Sequence, residues 1–293
     1  YSFPINKKGN NMKKIALSLI TTAILGFAST VTVEGFSSPE STIVNKNDLY
    51  VANVGKELKP TLKDGDGFIS KLDVNGKIKE LHFIDGLDAP KGMGIVGNTL
   101  FVADINTLRG FDLSTKKEVF NVVFEGVNFL NDITVKDSNT LFIGASDTSA
   151  IYEVNISNKS YKKLMDFTVA NGLFYEDGIL YTAQLGSTTQ NMFDGKGKLY
   201  KIDLKDNNKL TQLGTFEGVL DGVTKVGNKV YVSDWGNAKK TGIIRVYDLE
   251  TKKESVLETE LFMGAADFWI DEKSKKIFMP QMIGGKVTIF DLK

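Results

Sequence analysis

The sequence predicts an all-β protein, and three observations carry this prediction. A short motif of apolar and aromatic residues recurs six times along the 293-residue chain. β-Branched and aromatic residues dominate the segments around it, and almost no segment shows the 3.6-residue period of a helix. Further strand-like segments flank each copy, so the repeating unit is a small sheet rather than a single strand.

The recurring motif is an apolar pair with a polar end, and it predicts the second strand of each unit. Its copies are LYVAN (49–53), LFVAD (100–104), LFIGA (141–145), LYTAQ (180–184), VYVSD (230–234) and IFMPQ (277–281). A strand-like segment and a turn precede each copy, and a third strand such as FISKLDV or IRVYDLE follows. A fourth, more variable strand follows in the first five copies. Six four-stranded units of about 40 to 50 residues predict a six-bladed β-propeller.

The last unit lacks a fourth strand, because the sequence ends after its third. The segment VTVEGF (31–36) precedes the first unit and is free to supply it. This exchange would close the ring and protect the edge strands of the first and last blades. An open stack of repeats is the alternative, and the spare N-terminal strand disfavours it.

Residues 12–28 are predicted to be a secretory signal peptide. A Met-Lys-Lys start precedes a mostly apolar run at 15–27, which is too short to span a membrane, and small residues follow at the expected cleavage site. Residues 1–11 are predicted to be upstream sequence, and residues 29–293 to form a single propeller domain. The mature protein is therefore expected in the periplasm or outside the cell, without an integral membrane segment.

Composition narrows the class of partner. The chain has 36 basic and 36 acidic residues, so bulk electrostatics give no reason to expect a nucleic-acid or membrane-surface partner. It contains no cysteine, which excludes disulfides, thiolate metal sites and a cysteine nucleophile. A small molecule is the expected substrate or ligand.

Two short motifs resemble known binding loops but do not fit their context. Residues 62–73 match the glycine and three acidic positions of an EF-hand loop, but Leu62 stands at position 1 and no flanking helix is predicted. This stretch is interpreted as a turn that leads into a third strand. The G-x-G-x-x-G at 92–97 is itself a strand running into a turn, so it is not a dinucleotide fingerprint.

A ring of polar residues is predicted at one mouth of the central channel, because the first strand of each blade lines that channel. The residues at the start of the six first strands are Glu40, Lys91, Asn131, Asn171, Asp221 and Ala266. Four of them are oxygen donors, namely Glu40, Asn131, Asn171 and Asp221. Hard oxygen ligands suit Ca²⁺, and the absence of His and Cys from the ring disfavours zinc and copper. We expect these four residues to hold Ca²⁺ or another divalent cation.

Lys91 allows a second interpretation of the ring, in which no metal is bound. In a channel without metal, its ammonium could pair with Glu40 or Asp221. The polar ring would then be a hydrogen-bonded plug, as polar groups lining propeller channels often are.

Four segments around the oxygen donors resemble the metal-ligand segments of the regucalcin/gluconolactonase (senescence marker protein) family. They are SPEST at Glu40, FLNDITV at Asn131, ANGLFYEDG at Asn171 and LDGVTKVGN at Asp221. Diisopropyl fluorophosphatase and the paraoxonases are more distantly similar. The resemblance covers the whole predicted mature chain in blade order, and it implies a six-bladed propeller with a divalent metal, often calcium, on the channel axis.

The resemblance also implies the hydrolysis of a lactone or similar ester. The metal would polarise the carbonyl, and Asp221 would be both a ligand and the carboxylate that activates water or attacks directly. The sequence departs from the family at Phe129, where its lactonases often carry Arg, and His82 is the only histidine, so the paraoxonase His pair is absent. A non-catalytic periplasmic propeller that binds a small ligand or a protein is therefore the alternative.

Further residues are expected on the same face of the ring. The second strands end there at Asp104, Gln184 and Asp234, which would contact substrate or orient the ligands, or merely cap strand ends and turns. Lys91, Phe129 and Trp235 are the other candidates for substrate contact or support. Two long connections, at 54–67 and 185–197, open on this face and could form a lid.

Overall fold

The computed structural model describes residues 30–236 and 240–292, and their regular secondary structure consists of β-strands. The residues interpreted as upstream sequence (1–11) and signal peptide (12–28) lie outside the described part. No helix within the described residues is long and apolar enough to cross a membrane.

Six antiparallel four-stranded sheets form the blades of a β-propeller, as predicted. Blade 1 contains β2 (Pro39–Asn45), β3 (Asp48–Asn53), β4 (Gly67–Asp73) and β5 (Ile78–Leu87), and blade 2 contains β6 (Pro90–Val96), β7 (Thr99–Asp104), β8 (Thr107–Asp112) and β9 (Glu118–Val123). Blade 3 contains β10 (Leu130–Asp137), β11 (Thr140–Ala145), β12 (Ala150–Asn155) and β13 (Ser160–Asp166), and blade 4 contains β14 (Ala170–Glu176), β15 (Ile179–Gln184), β16 (Gly197–Asp203) and β17 (Lys209–Gly218). Blade 5 contains β18 (Leu220–Val226), β19 (Lys229–Asp234), β20 (Ile243–Asp248) and β21 (Glu254–Val256), and blade 6 contains β22 (Trp269–Asp271), β23 (Lys276–Gln281), β24 (Lys286–Asp291) and β1 (Val31–Glu34).

The hydrophobic core lies between neighbouring blades. All six copies of the recurring motif are second strands, and they are largely buried because another blade covers each face. Between blades 2 and 3, for example, Phe101 and Phe120 belong to the same buried cluster as Leu130 and Leu141. Each blade thus depends on its two neighbours for burial of its apolar faces.

The ring is closed by the N-terminal strand, as the spare segment at 31–36 predicts. β1 pairs with β24 over four residues, from Val31 opposite Ile289 to Glu34 opposite Lys286. Phe36 follows this strand and is buried with residues of blades 1 and 6, among them Val51 and Phe278. The two ends of the propeller are therefore joined by both backbone pairing and side-chain packing.

Breaks in register recur near the start of the first strand of blades 1 to 5. They lie between Pro39 and Ser41, Pro90 and Met93, Leu130 and Ile133, Ala170 and Leu173, and Leu220 and Val223. Such irregularities change the direction in which a side chain points, which in a regular strand alternates between the two faces of the sheet. In each of these blades the affected stretch contains the residue predicted to face the channel mouth.

Candidate metal centre

All four predicted metal ligands line one small cavity of about 40 Å³. Its wall is formed by Glu40, Leu58, Pro60, Lys91, Phe129, Asn131, Asn171, Leu185, Phe193, Asp221, Trp235 and Met282. We call this space the ring cavity. Sequence repeats alone thus identify side chains that lie far apart in the chain and close together in the fold.

Three oxygen atoms of the ring are buried and accept no hydrogen bond from the described residues. They are Glu40 Oε2, Asn171 Oδ1 and Asp221 Oδ1, and each comes from a different blade. Buried polar atoms in folded proteins almost always have a partner, since an unsatisfied one costs about 1–3 kcal/mol. Three such atoms on one small cavity form a set of acceptors that an electropositive group could satisfy.

The two ring amides are held by their nitrogen atoms. Asn131 Nδ2 donates a hydrogen bond to Ser146 Oγ at 3.0 Å, and Ser146 Oγ donates in turn to the carbonyl of Ala170 at 2.6 Å. Asn171 Nδ2 donates to the carbonyl of Leu220 at 3.0 Å, in the next blade. Since the nitrogens are used by the scaffold, the amide oxygens remain to bind a ligand.

Asp221 is held through one of its carboxylate oxygens, and the amide of Asn171 lies beside it. Trp235 Nε1 donates a 2.6 Å hydrogen bond to Asp221 Oδ2, whereas Oδ1 has no partner. Burial, reinforced by the nearby carboxylate of Asp267, raises the pKa of Asp221 to about 8. Burial, followed by the charges of Asp221 and Asp267, also raises the pKa of Glu40 well above its usual value. These carboxylates carry negative charge at neutral pH only at a cost that a bound cation would offset.

Lys91 contacts the wall of the cavity instead of pairing with the ring carboxylates. Its Nζ donates to the carbonyls of Pro60 at 2.6 Å and Ala89 at 3.0 Å, and it lies 4.9 Å from the centre of the Phe129 ring. Burial lowers the pKa of Lys91 to about 8, although the charge of Glu40 opposes this shift. These contacts differ from the ion pairs that a plugged channel requires.

Replacing Lys91 by Met is expected to loosen the connection between β3 and β4. The carbonyl of Pro60 would lose its buried donor, so hydrogen exchange at residues 56–62 should become faster, with a loss of about 1–3 kcal/mol in stability. Lys63→Met is a matched control, because exposed Lys63 in the same connection donates only to Asn106 Oδ1. Unchanged exchange in Lys91→Met, measured by mass spectrometry, would show that Lys91 does not anchor this segment.

A second layer of acids, buried Asp132 and half-buried Asp267, lies next to the ring. The residues that immediately follow the ring residues in sequence are Ser41, Gly92, Asp132, Gly172, Gly222 and Asp267. Asp132 accepts hydrogen bonds from the backbone amides of Ile133 and Leu173, both at 2.6 Å, and Asp267 accepts a side-chain hydrogen bond from Ser41 Oγ at 2.7 Å. Burial raises the pKa of Asp267 to about 7 and that of Asp132 well above its usual value.

These two aspartates were not predicted, although the sequence carries a signal for them. Glycine occupies three of these six positions because the chain approaches closely there: a Cβ at Gly222 would lie 2.5 Å from Asp267 Oδ1, and one at Gly172 would lie 2.1 Å from the Asp221 carbonyl oxygen. Comparing this next repeat position across the blades would have revealed two acids among three glycines and one serine. Both aspartates line a separate cavity of about 350 Å³ further along the channel.

The acids at the ends of the second strands lie behind the ring cavity rather than in its wall. Asp104 Oδ1 accepts a hydrogen bond from the Ala89 amide at 2.8 Å, and Asp234 Oδ1 accepts one from the Val219 amide at 3.2 Å. Each also pairs with an arginine of the next strand. They hold the turns that lead into Lys91 and Asp221, so their contacts agree with the expected orienting role. Because they lie outside the cavity wall, they are not in position to contact a substrate.

Of the remaining candidates for substrate contact, two line the ring cavity and one lies outside its wall. Phe129 and Trp235 line the ring cavity, whereas half-buried Gln184 is opposite Ala170 in the sheet and outside the cavity wall. Leu58 and Phe193 show that both long connections open on this face, as expected. Within residues 30–236 and 240–292, no three His, Cys, Asp or Glu side chains form a metal-binding group by themselves, so the two ring amides are essential to the candidate centre.

The residues that resemble an EF-hand form a turn. Asp66 Oδ2 accepts a hydrogen bond from the backbone of Lys56 at 3.1 Å, and Asp64 Oδ1 accepts one from the backbone of Asp66 at 3.3 Å. β4 begins directly afterwards at Gly67. The interpretation as a turn before a third strand is confirmed.

Comparison with known proteins supports the fold and leaves the activity open. No protein-family model matches the chain. An uncharacterized protein of Sulfolobus acidocaldarius is 25% identical over 221 residues, which cover 71% of this chain and 73% of that protein. The crystal structure of the computationally designed Ika8 protein is similar with a TM-score of 0.50 and 11% identity, over 88% of this chain and 97% of the designed one. The strand order and these similarities together establish a six-bladed β-propeller.

Proposed function

We propose that this protein is an exported hydrolase of lactones or related esters that depends on a divalent cation, with Ca²⁺ preferred. The observation that carries the proposal is the set of three buried, unpartnered oxygens from three blades around the ring cavity. The resemblance of the ring segments to the regucalcin/gluconolactonase family supports it. Export rests on the signal-peptide pattern at 12–28 alone.

The ring residues fit a hard cation. Two carboxylates and two amides offer four oxygens, whereas Ca²⁺ takes six to eight, so water and substrate oxygens would complete its coordination. The two negative charges of Glu40 and Asp221 match a divalent ion. Neither histidine nor cysteine lines the cavity, which disfavours zinc and copper.

When bound, the cation would polarise the substrate carbonyl and stabilise negative charge on its oxygen. Asp221 is the residue suited to the proton or nucleophile step, because Trp235 holds one carboxylate oxygen and leaves the other free. The apolar side chains of Phe129 and Leu185 reduce the access of water around this carboxylate. Trp235 thus fixes the orientation that the reaction needs.

Stability of the metal-free protein should depend on pH with a defined sign. The pKa of Asp221 is raised to about 8 and that of Asp267 to about 7, whereas both titrate near 4 in an unfolded chain. Between these values the folded protein binds protons that the unfolded chain has lost. Its free energy of unfolding therefore falls as the pH rises from about 4 to about 8.

A cation competes with these protons, so its binding should strengthen over the same pH interval. We expect Ca²⁺ to raise Tm more at about pH 8 than at about pH 6, and calorimetry should show proton release on binding. An equal Tm shift at both pH values, without proton release, would contradict this assignment of the ligands.

The proposed function is tested by metal analysis of the purified protein and by lactone and ester hydrolysis with and without chelator. Turnover that chelator abolishes and Ca²⁺ restores is the expected result. Turnover insensitive to chelator would exclude the metal role, and no bound metal together with an unaffected Tm would remove the metal centre itself.

A non-catalytic ligand-binding propeller is the second candidate, and Phe129 favours it. The resembling lactonases often carry Arg at this position, whereas here an aromatic ring lies against Lys91. A Tm that falls on addition of chelator, in a protein that turns over no lactone or ester, would support this second function.

A further inference from the structure

The wall of the ring cavity differs in chemistry from its floor. The polar ring residues form the floor, and the rest of the wall consists of apolar side chains. These are Leu58 and Pro60 from the β3–β4 connection, Leu185 and Phe193 from the β15–β16 connection, and Phe129, Trp235 and Met282. A ligand reaching the ring must therefore pass between apolar surfaces from several blades.

Part of this apolar surface is exposed to solvent. Leu58 is 44% exposed and Phe193 is 59% exposed, and the Phe193 ring centre lies 6.2 Å from that of Trp235. Large apolar side chains exposed around a polar pocket are typical of a binding surface. Phe193 and Trp235 extend this surface outward from Asp221, whose Oδ2 accepts the hydrogen bond from Trp235 Nε1.

The wall offers little to a hydroxylated ligand. Among the described residues of the cavity, the only charged side chain outside the metal-ligand set is Lys91 of the floor, whose Nζ already donates to two carbonyls. A sugar-like lactone carries several hydroxyl groups, and each one buried without a partner costs about 1–3 kcal/mol. The polar floor can therefore bind one carbonyl group of a ligand, whereas the wall can contact the hydrocarbon part of the same ligand.

We propose that the substrate is a lactone or ester with a hydrophobic chain, which extends from the ring along Leu58 and Phe193. This inference rests on the proposed function and narrows its substrate class. The ring cavity, at about 40 Å³, has room for only about three waters, since each needs about 10–15 Å³ of such a cavity. The chain must therefore lie between the two connections, where the exposed apolar side chains are.

A series of γ-alkyl-γ-lactones, from methyl to octyl, tests this inference in the presence of Ca²⁺. Each methylene that becomes buried should raise kcat/KM about threefold to fourfold, until the chain extends past the wall. In Leu58→Ser and Phe193→Ser this increase per methylene should be smaller. Val123→Ser is the matched control, because Val123 is 45% exposed on the outer strand β9 and should leave the series unchanged.

The outcomes separate the substrate class from the activity. Metal-dependent turnover that is independent of chain length, or fastest with a hydroxylated sugar lactone, would overturn the hydrophobic substrate and leave the hydrolase intact. If no lactone or ester is turned over, the hydrolase fails. Binding of γ-alkyl-γ-lactams, which resist hydrolysis, then decides the inference by calorimetry: affinity that grows with chain length supports an apolar ligand, and affinity that does not grow overturns it.

Discussion

Asp221→Asn should lose turnover while making the metal-free protein more stable at about pH 8. The amide keeps the size of the carboxylate but cannot accept a proton or attack a carbonyl, so kcat should fall about 10²–10⁴-fold or more. The buried charge that folding opposes would also be gone. Removing it should add about 2 kcal/mol to the free energy of unfolding of the metal-free protein, because Asp221 has a pKa raised to about 8.

The opposite effect is expected for a second aspartate of the same blade. Asp234 is as buried as Asp221 but accepts hydrogen bonds from Arg245 Nε at 2.8 Å and from backbone amides. Asp234→Asn should therefore lower stability, since Arg245 would lose its charged partner. Melting curves in chelator at about pH 8 compare the two variants. A loss of stability in Asp221→Asn equal to that in Asp234→Asn would show that Asp221 serves the scaffold and is not a strained functional group.

Phe36→Ala should be among the most destabilising single substitutions in the chain, at about 3–5 kcal/mol. Phe36 is 7% exposed and packs in one cluster with Leu49, Phe278 and Val287, which belong to the first and last blades. Its loss would leave a cavity where the two ends of the ring meet. The short strand β1, with four residues, has little other packing to hold it.

Denaturant unfolding followed by fluorescence measures this loss, with Val123→Ala as the control on an exposed outer strand. The control should change stability by less than about 0.5 kcal/mol. Limited proteolysis should cut Phe36→Ala first near β1 and β24, because the pairing of these strands closes the ring. A small loss, similar to that of the control, would mean that closure contributes little to stability.

The fold was predictable because the propeller repeats its own sequence. Six copies of one strand motif gave the number of blades, and the missing fourth strand gave the closure by VTVEGF. Local sequence patterns were sufficient to predict the fold, since each blade buries the same repeat positions against its neighbouring blades. The ring residues followed from the same register, because equivalent positions of all blades converge on the axis.

The contacts within the site were less accessible to sequence reasoning. The sequence left open whether Lys91 pairs with Glu40 or Asp221, and one of its actual partners is the carbonyl of Pro60, in a connection without a readable motif. The hydrogen bond from Trp235 to Asp221 depends on the path of the chain after β19. Repeat position determines which side chains meet, whereas irregular connections determine how each one is partnered.

The blade built from both ends of the chain contributes no polar side chain to the ring. Its ring residue is Ala266, which is fully buried among Val54, Ala89 and Met282. Fraying of the termini is the lowest-energy motion available to many proteins. Here such motion would begin in a blade whose ring residue, Ala266, supplies no oxygen to the candidate ion site, and the four proposed ligands lie on blades 1, 3, 4 and 5.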